Sequence, residues 1–340
     1  MTPSPWWDKA RHRDRRGFLA ARAAIARAVR GWFWDQGFTE VEPQALAPSP
    51  GAEVHVDAFA SGDRYLHTSP EFAMKKLLAA GEEKIFYFGK CWRKGETGPL
   101  HAEEFTMLEW YRANEPYERV MDDCLALARL ATTIAHSEVL HWKDKTCDPF
   151  ASAERLTVSD AFARFSPAPP PFAGEVFEAE ANGHRGDDSA PGSLTLASPA
   201  SGGRSDRGHD AFSTAIVQIE PHLGAPALTL LYEYPISEAA LARRCAHDPR
   251  LAERFEMYAC GVELANGFGE LADPAEQRAR LIAAMDEKEN RYGVRWPIDE
   301  DFLAALAHMP PASGVALGFD RLVMLATGAR HIRDVLWTPT

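Results

Sequence analysis

The sequence predicts an α+β fold, a mainly antiparallel sheet flanked by helices in one domain. Three observations lead there. Aromatic-rich runs come in pairs joined by turn-forming residues, as hairpin strands do. Stretches with apolar residues at helical spacing stand around those pairs. The 340 residues contain neither a Walker A sequence nor a G-x-G-x-x-G strand–helix unit, the marks of parallel nucleotide-binding sheets.

Phe18 to Gly37 reads as a helix, because Ile25, Val29, Trp32 and Phe33 gather on one face and Gly37 is a natural stop. Phe38-Thr-Glu-Val-Glu-Pro43 is extended and closed by a proline that cannot donate to a sheet ladder. After loop and short strand, Ser69 caps a helix to Leu78, with Pro70 in its first turn and Glu71 at the positive end of the macrodipole. Ile85 to Trp92 and Phe105 to Tyr111 pair as a hairpin across the polar loop Lys94 to Glu104. Tyr117 to Ile134 carries Val120, Cys124, Leu127, Leu130 and Ala131 in one helical stripe.

From Asn182 to Asp210, Gly, Ser, Asp and Pro supply 17 of 29 residues, a composition that reads as a disordered insertion. Leu228 to Tyr234 is then a strand ended by Pro235, followed by a helix from Ser237 to His247. Strands Arg254 to Ala259 and Val262 to Phe268 flank a tight Cys260-Gly261 turn. Asp273-Pro274 caps a long helix to Tyr292, and the strand Gly314 to Gly318 runs into a helix from Phe319 to Thr327.

Lys plus Arg number 37 against 49 Asp plus Glu, so the net charge of −12 argues against broad electrostatic binding of nucleic acid. An anionic partner must be met by a local basic site. No run approaches the roughly 20 apolar residues of a membrane helix, and the start lacks a secretory signal pattern. The five cysteines are scattered and never in a C-x-x-C pair, which suggests a reducing compartment, the cytoplasm, and no structural zinc.

Four constellations carry chemistry. Arg93 ends the first aromatic strand with Lys94 beside it and His101 across the loop, an arrangement suited to gripping a phosphate or carboxylate. On the second strand Phe105, Met107, Glu109 and Tyr111 share a face, and an acid there is costly unless something positive meets it. If Cys260 and Gly261 are the turn residues, Glu256 pairs with Ala265 and Tyr258 with Glu263. Glu256 and Glu263 are then diagonal neighbours roughly 7 to 8 Å apart, a pair that favours magnesium carried with a nucleotide. Glu270 adds a third acid able to receive an ammonium. Last, Gly318 allows close backbone approach at a helix start to which Arg321 adds positive charge.

These segments resemble the three signature motifs of a class II aminoacyl-tRNA synthetase catalytic core, and within it the lysyl-tRNA synthetase branch. The helix ending in Phe38-Thr-Glu-Val-Glu-Pro43 is similar to motif one. Cys91-Trp-Arg-Lys-Gly-Glu96 with His101-Ala-Glu-Glu-Phe-Thr-Met-Leu-Glu-Trp-Tyr111 is similar to motif two, and Gly314 to Gly328 to motif three. Phe105-Thr-Met-Leu-Glu-Trp-Tyr111 and Glu263-Leu-Ala-Asn-Gly-Phe268 are most like the elongation factor P lysine ligases. The likeness covers roughly Gly17 to Asp160 and Leu228 to the end.

The resemblance implies ATP and Mg2+ as cofactors. Arg93 would hold the α-phosphate and the amino-acid carboxylate, Phe105 would stack on adenine, and Arg321 would clamp the far end of ATP, which makes Arg93 and Arg321 the catalytic pair. It places Lys94, Gly95, Ala102, Leu264 and Gly318 in the ATP site, and Glu256 and Glu263 as the magnesium acids. Ser69, Pro70, Glu71, Glu109 and Ala316 line the substrate site, with Glu71 and Glu109 near the substrate amino group. Tyr111 and Glu270 would receive a side-chain ammonium. Gly95 stands where the family often has a glutamate, with Glu96 next to it, and Ala102 where asparagine is usual.

Only about 16 residues precede the first predicted helix, so the anticodon-binding domain of a lysyl-tRNA synthetase is not expected, and tRNA is not the expected acceptor. Ala316, where lysyl-tRNA synthetases usually have glycine, favours the ligase and a β-amino acid. The expected activity is activation of lysine or β-lysine and its transfer to elongation factor P, by a homodimer built on motif one. The alternatives are a synthetase-like enzyme using tRNA or a free amine, and a non-catalytic regulatory paralogue. The span from Ser166 to Ser213, where the family has helical sequence, reads as an insertion or a compensated frameshift.

Overall fold

The structure, a computed structural model, describes residues 5–51, 53–166, 212 and 215–339. The expected insertion at 182–210 lies outside the described residues. Strands β1 (Thr39–Glu40), β2 (Lys84–Trp92), β3 (Glu104–Ala113), β4 (Glu154–Thr157), β5 (Thr229–Pro235), β6 (Leu251–Ala259), β7 (Val262–Gly269) and β8 (Ala312–Gly318) form one sheet. Their order is β1-β2-β3-β8-β7-β6-β5-β4. The edge pairs β1–β2 and β4–β5 are parallel and the five inner pairs antiparallel, as the paired aromatic runs require.

Helices α1 (Lys9–Asp35), α2 (Glu71–Ala79), α3 (Tyr117–Ile134), α4 (Val158–Phe165), α5 (Pro274–Tyr292), α6 (Glu300–Leu306) and α7 (Phe319–Thr327) cover the sheet. Strand β3 sorts its side chains by its period of two. Leu108 and Trp110 enter a core with Ile25, Val29 and Phe33 of α1, the α3 stripe, and α7. Met107, Tyr111 and Ala113 enter a second core with Met74 and Leu78 of α2, Leu281 of α5 and Phe302 of α6. Phe33 stacks on Phe86 at 4.5 Å and meets Trp110 edge-on; burying one such side chain contributes about 1.5–3 kcal/mol. Arg112 grips Asp123 of α3 with two bonds, 2.7 and 3.0 Å, while Trp110 Nε1 donates to the same carboxylate. Removing one partner of a buried pair like this costs about 3–5 kcal/mol. All five cysteines are buried and free, and no helix of the described residues is long and apolar enough to cross a membrane.

Four local expectations are corrected. The first helix begins at Lys9, where Asp8 accepts the amides of Ala10 and Arg11; the charged run conceals these turns because most of its side chains face solvent. Helix α2 begins at Glu71. Pro70 is its cap residue and makes no side-chain bond, while Ser69 Oγ accepts the Glu71 amide at 3.1 Å.

The helix expected from Ser237 to His247 is replaced by a single turn, Ile236–Glu238, and irregular chain. Ala242 and Arg244 bridge to Glu270 and Ala252, and the Arg243 amide donates to Gly269 O at 2.7 Å. Partners on the neighbouring strands replace intrahelical ones, and Ala240 at φ +49° breaks any helix there.

In the β6–β7 hairpin, Cys260 and Gly261 both have positive φ, 56° and 75°, the form a two-residue hairpin turn takes. Tyr258 pairs with Glu263 as expected, but a one-residue shift between Met257 and Tyr258 places Glu256 opposite Asn266 rather than Ala265. A bulge absorbs the extra residue. Glu256, Tyr258, Glu263 and Asn266 consequently still share one face.

Candidate active site

A cleft of about 340 Å³ opens on the α2 side of the sheet, lined from α2, the loop after β2, β3, β6, β7, β8 and α7 by residues that include both charge signs. Its two halves differ in character.

One half is basic and fit for an anion. Arg93 follows β2 and is fixed through its amide to Glu103 O at 2.9 Å. Its guanidinium lies 3.9 Å from both Glu53 and Glu96, sits 5.4 Å from the centre of the Phe105 ring, and leaves Nε without a hydrogen-bond partner. Arg321, in the first turn of α7, donates to Glu263 O at 3.0 Å and Leu100 O at 3.3 Å, and its Nη2 lies 2.6 Å from His101 Nε2. Burial, then Arg321 and Arg93, lower the His101 pKa to about 4, so at neutral pH the ring is uncharged and Nε2 accepts. The α7 start is itself held by Asp320, which pairs with buried Arg22 and accepts the Thr106 amide at 2.8 Å.

Beside these cations stand the hairpin acids. Glu256 accepts from Arg254 at 2.6 Å, from the Tyr258 hydroxyl at 2.5 Å and from Asn266 Nδ2 at 3.3 Å. Burial and the Glu256 charge raise the pKa of Glu263. Among the described residues no three His, Cys, Asp or Glu side chains are grouped to hold a metal alone. Glu256, Glu263 and Asn266 Oδ1, which has no hydrogen-bond partner, are nonetheless oxygen donors of the kind magnesium takes together with phosphates.

The other half is acidic and deeply buried. Glu109, 1% exposed, accepts from Ser69 Oγ and the Tyr111 hydroxyl, each at 2.7 Å. Burial first, then the Glu71 charge, push its pKa up to about 8. Glu270, 2% exposed, meets Lys75 Nζ at 2.6 Å, and the same ammonium meets Glu71 at 2.6 Å. Gly314 lies beneath: a Cβ there would stand 2.3 Å from the Tyr111 ring and 2.5 Å from Glu270 Oε1.

The structure brings into this cleft Ser69, Glu71, Arg93, Ala102, Phe105, Glu109, Tyr111, Glu256, Glu263, Leu264, Glu270, Ala316, Gly318 and Arg321. Three expected residues do not line it. Lys94 points to Asp57, 3.7 Å away. Gly95 occupies a positive-φ turn at 80°, its amide given to Glu103 at 2.7 Å. Pro70 lines the larger adjoining cleft beside α5. Tyr111 and Glu270 are not paired with each other, since the hydroxyl serves Glu109 and the carboxylate serves Lys75. Sequence reasoning missed Lys75, signalled by its i, i+4 spacing from Glu71, and Arg254, two residues before Glu256 on one strand face. It also missed Glu220, 3.4 Å from the Tyr258 hydroxyl, for which no sequence signal exists.

Residues 4–340 match the family described as tRNA synthetases class II (D, K and N). The chain is 37% identical over 339 residues to the elongation factor P–(R)-β-lysine ligase of Hamiltonella defensa, covering 94% of each chain. It is 36% identical over 350 residues to the Vibrio cholerae enzyme of the same name, covering 100% of this chain and 99% of that one. Its identity to the Yersinia enterocolitica enzyme of that name is 38% over 334 residues, 94% of each.

Proposed function

The chain belongs to the class II tRNA synthetase family, and from that premise we propose that it is an ATP-dependent ligase that activates lysine or β-lysine as an aminoacyl-adenylate and passes the acyl group to a lysine of elongation factor P. One observation carries the reading: a basic anion site and a buried acidic pocket share one cleft, which fits a triphosphate at one end and an ammonium-tipped amino acid at the other. The names of the relatives favour (R)-β-lysine.

The substrate carboxylate, held at Arg93, attacks the α-phosphorus in line. The new O–P bond forms as the bond to pyrophosphate breaks, with Arg93 and Arg321 meeting charge on the phosphoryl and leaving oxygens. Glu256 and Glu263 would hold a magnesium ion carried with the nucleotide, which would supply neutralisation of phosphate charge. Phe105 offers its ring to adenine, and Gly318 lets backbone approach. The neutral acceptor amine then attacks the acyl carbon, and an amide forms as AMP departs. We place the reaction in the cytoplasm and a homodimer contact on α1, whose Trp34 is exposed in the single chain. The net charge of −12 supports a protein acceptor over tRNA.

The test is pyrophosphate exchange with lysine and with β-lysine, followed by offering the labelled amino acid to elongation factor P and to tRNA separately. Exchange followed by label on elongation factor P is expected. Label on tRNA alone overturns the acceptor, and binding without exchange marks a non-catalytic paralogue.

A pH dependence follows from Glu109. Below about 8 its carboxyl holds a proton that an incoming ammonium must displace. The amino-acid KM is therefore expected to fall as pH rises from 6.5 to 8, by up to about tenfold per unit. The same raised pKa stabilises the ligand-free fold fully only below the unfolded value of 4.5, and that contribution is lost as pH climbs through about 8. A pH-independent KM would contradict the assignment.

A further inference from the structure

The acidic end of the cleft contains a charge that the proposed reaction does not use. Lys75 has a fully buried side chain, and its ammonium touches one oxygen of Glu71 and one of Glu270, each at 2.6 Å. Two carboxyl groups, Glu71 and Glu270, meet this one ammonium, and a third, Glu109, lies close enough to feel the charge of both. Arg243 acts on Glu270 from outside, and Ser69 and Tyr111 give their hydroxyls to Glu109. Glu270 Oε1 has no hydrogen-bond partner and lies over the bare backbone of Gly314, beside the Tyr111 ring. A buried carboxylate oxygen left open in this way is costly unless a ligand completes it.

We propose that Lys75 is a built-in counter-ion that determines specificity: it takes one oxygen from each of two carboxylates and leaves the pocket matched to a substrate bearing two ammonium groups. The arithmetic is direct. Once the incoming ammonium has displaced the Glu109 proton, three ionised acids and one resident ammonium leave two negative charges, and a diamino acid brings two positive ones beyond its carboxylate. Lys75 also holds Glu71 and Glu270 in place, so that Glu270 Oε1 stays aimed at the floor of the cleft. An amino acid of the same length with an uncharged tip leaves that oxygen unpaired and is rejected. Lys75 is a positioning residue, acting through Glu71 and Glu270.

This inference rests on the proposed reading of the cleft, and its test separates the two. Binding of lysine, β-lysine and norleucine, which has the lysine chain without its terminal ammonium, is measured calorimetrically on the whole protein, with pyrophosphate exchange in parallel. In Lys75→Met the three acids lack a counter-ion and retain protons. Lysine affinity at pH 7 is expected to drop at least about tenfold and to recover as pH rises, while ATP affinity stays within about twofold. A purely structural role would not produce that recovery.

Should Lys75→Met fail to fold, Lys75→Met/Glu270→Gln removes both halves of the ion pair with neutral groups of similar shape, a change a fold tolerates far better. In it the preference for lysine over norleucine is expected to fall at least about tenfold. An unchanged preference in the variants overturns the role of Lys75. Selective lysine binding by the wild-type protein without exchange sinks the ligase reading and leaves Lys75 as the selector.

Discussion

Replacing Arg93 by alanine is expected to bring lysine-dependent pyrophosphate exchange to background while the protein stays folded. The guanidinium is the cleft's least engaged strong cation, with carboxylates no nearer than 3.9 Å and Nε without a partner. Its donors are therefore available to a phosphate, and taking away a preorganised donor aimed at transition-state charge lowers kcat about 10²–10³-fold. Little stability is at stake. Long, partly exposed ion pairs contribute about 0–1 kcal/mol, and Arg93→Ala strands no buried partner. Exchange rate and thermal midpoint, measured together, check both halves; exchange at the wild-type rate refutes the role.

Gly314→Val is expected to close the amino-acid pocket and spare the nucleotide end. The first atom of any side chain there would fall 2.3 Å from Tyr111 and 2.5 Å from Glu270 Oε1, and both neighbours are almost fully buried. Moving them costs about 1–3 kcal/mol of stability. Since displacing a substrate by about 1 Å costs on the order of a hundredfold in rate, amino-acid activation should drop by at least that much. ATP affinity, read by calorimetry, should change little, because Gly314 lies in the acidic half. Equal loss of ATP affinity would show a general collapse of the cleft.

Two helices were legible from local signals, Tyr117–Ile134 from its apolar spacing and Pro274–Tyr292 from its Asp273-Pro274 start, and both have the expected bounds, since periodicity and a capping start are local properties. The shared face of Phe105, Met107, Glu109 and Tyr111 was legible for the same reason. The predicted helix after Pro235 failed because its backbone partners lie on other strands, at Gly269 and Ala252. The register of Glu256 was off by one because a bulge follows from the whole sheet's fit and leaves no mark in composition.

The sequence by itself determined which residues carry charge, which faces of helix and strand they occupy, and that basic and acidic groups stand at strand ends and hairpins. Those follow from backbone periods of 3.6 and 2, properties of a few neighbouring residues. Tertiary structure alone decided the partners: Lys75 with Glu71 and Glu270, Tyr111 with Glu109, Arg254 with Glu256. Several of these contacts join elements far apart in the chain, and a buried charge takes whichever opposite group packing brings within about 3 Å, a choice no local pattern can encode.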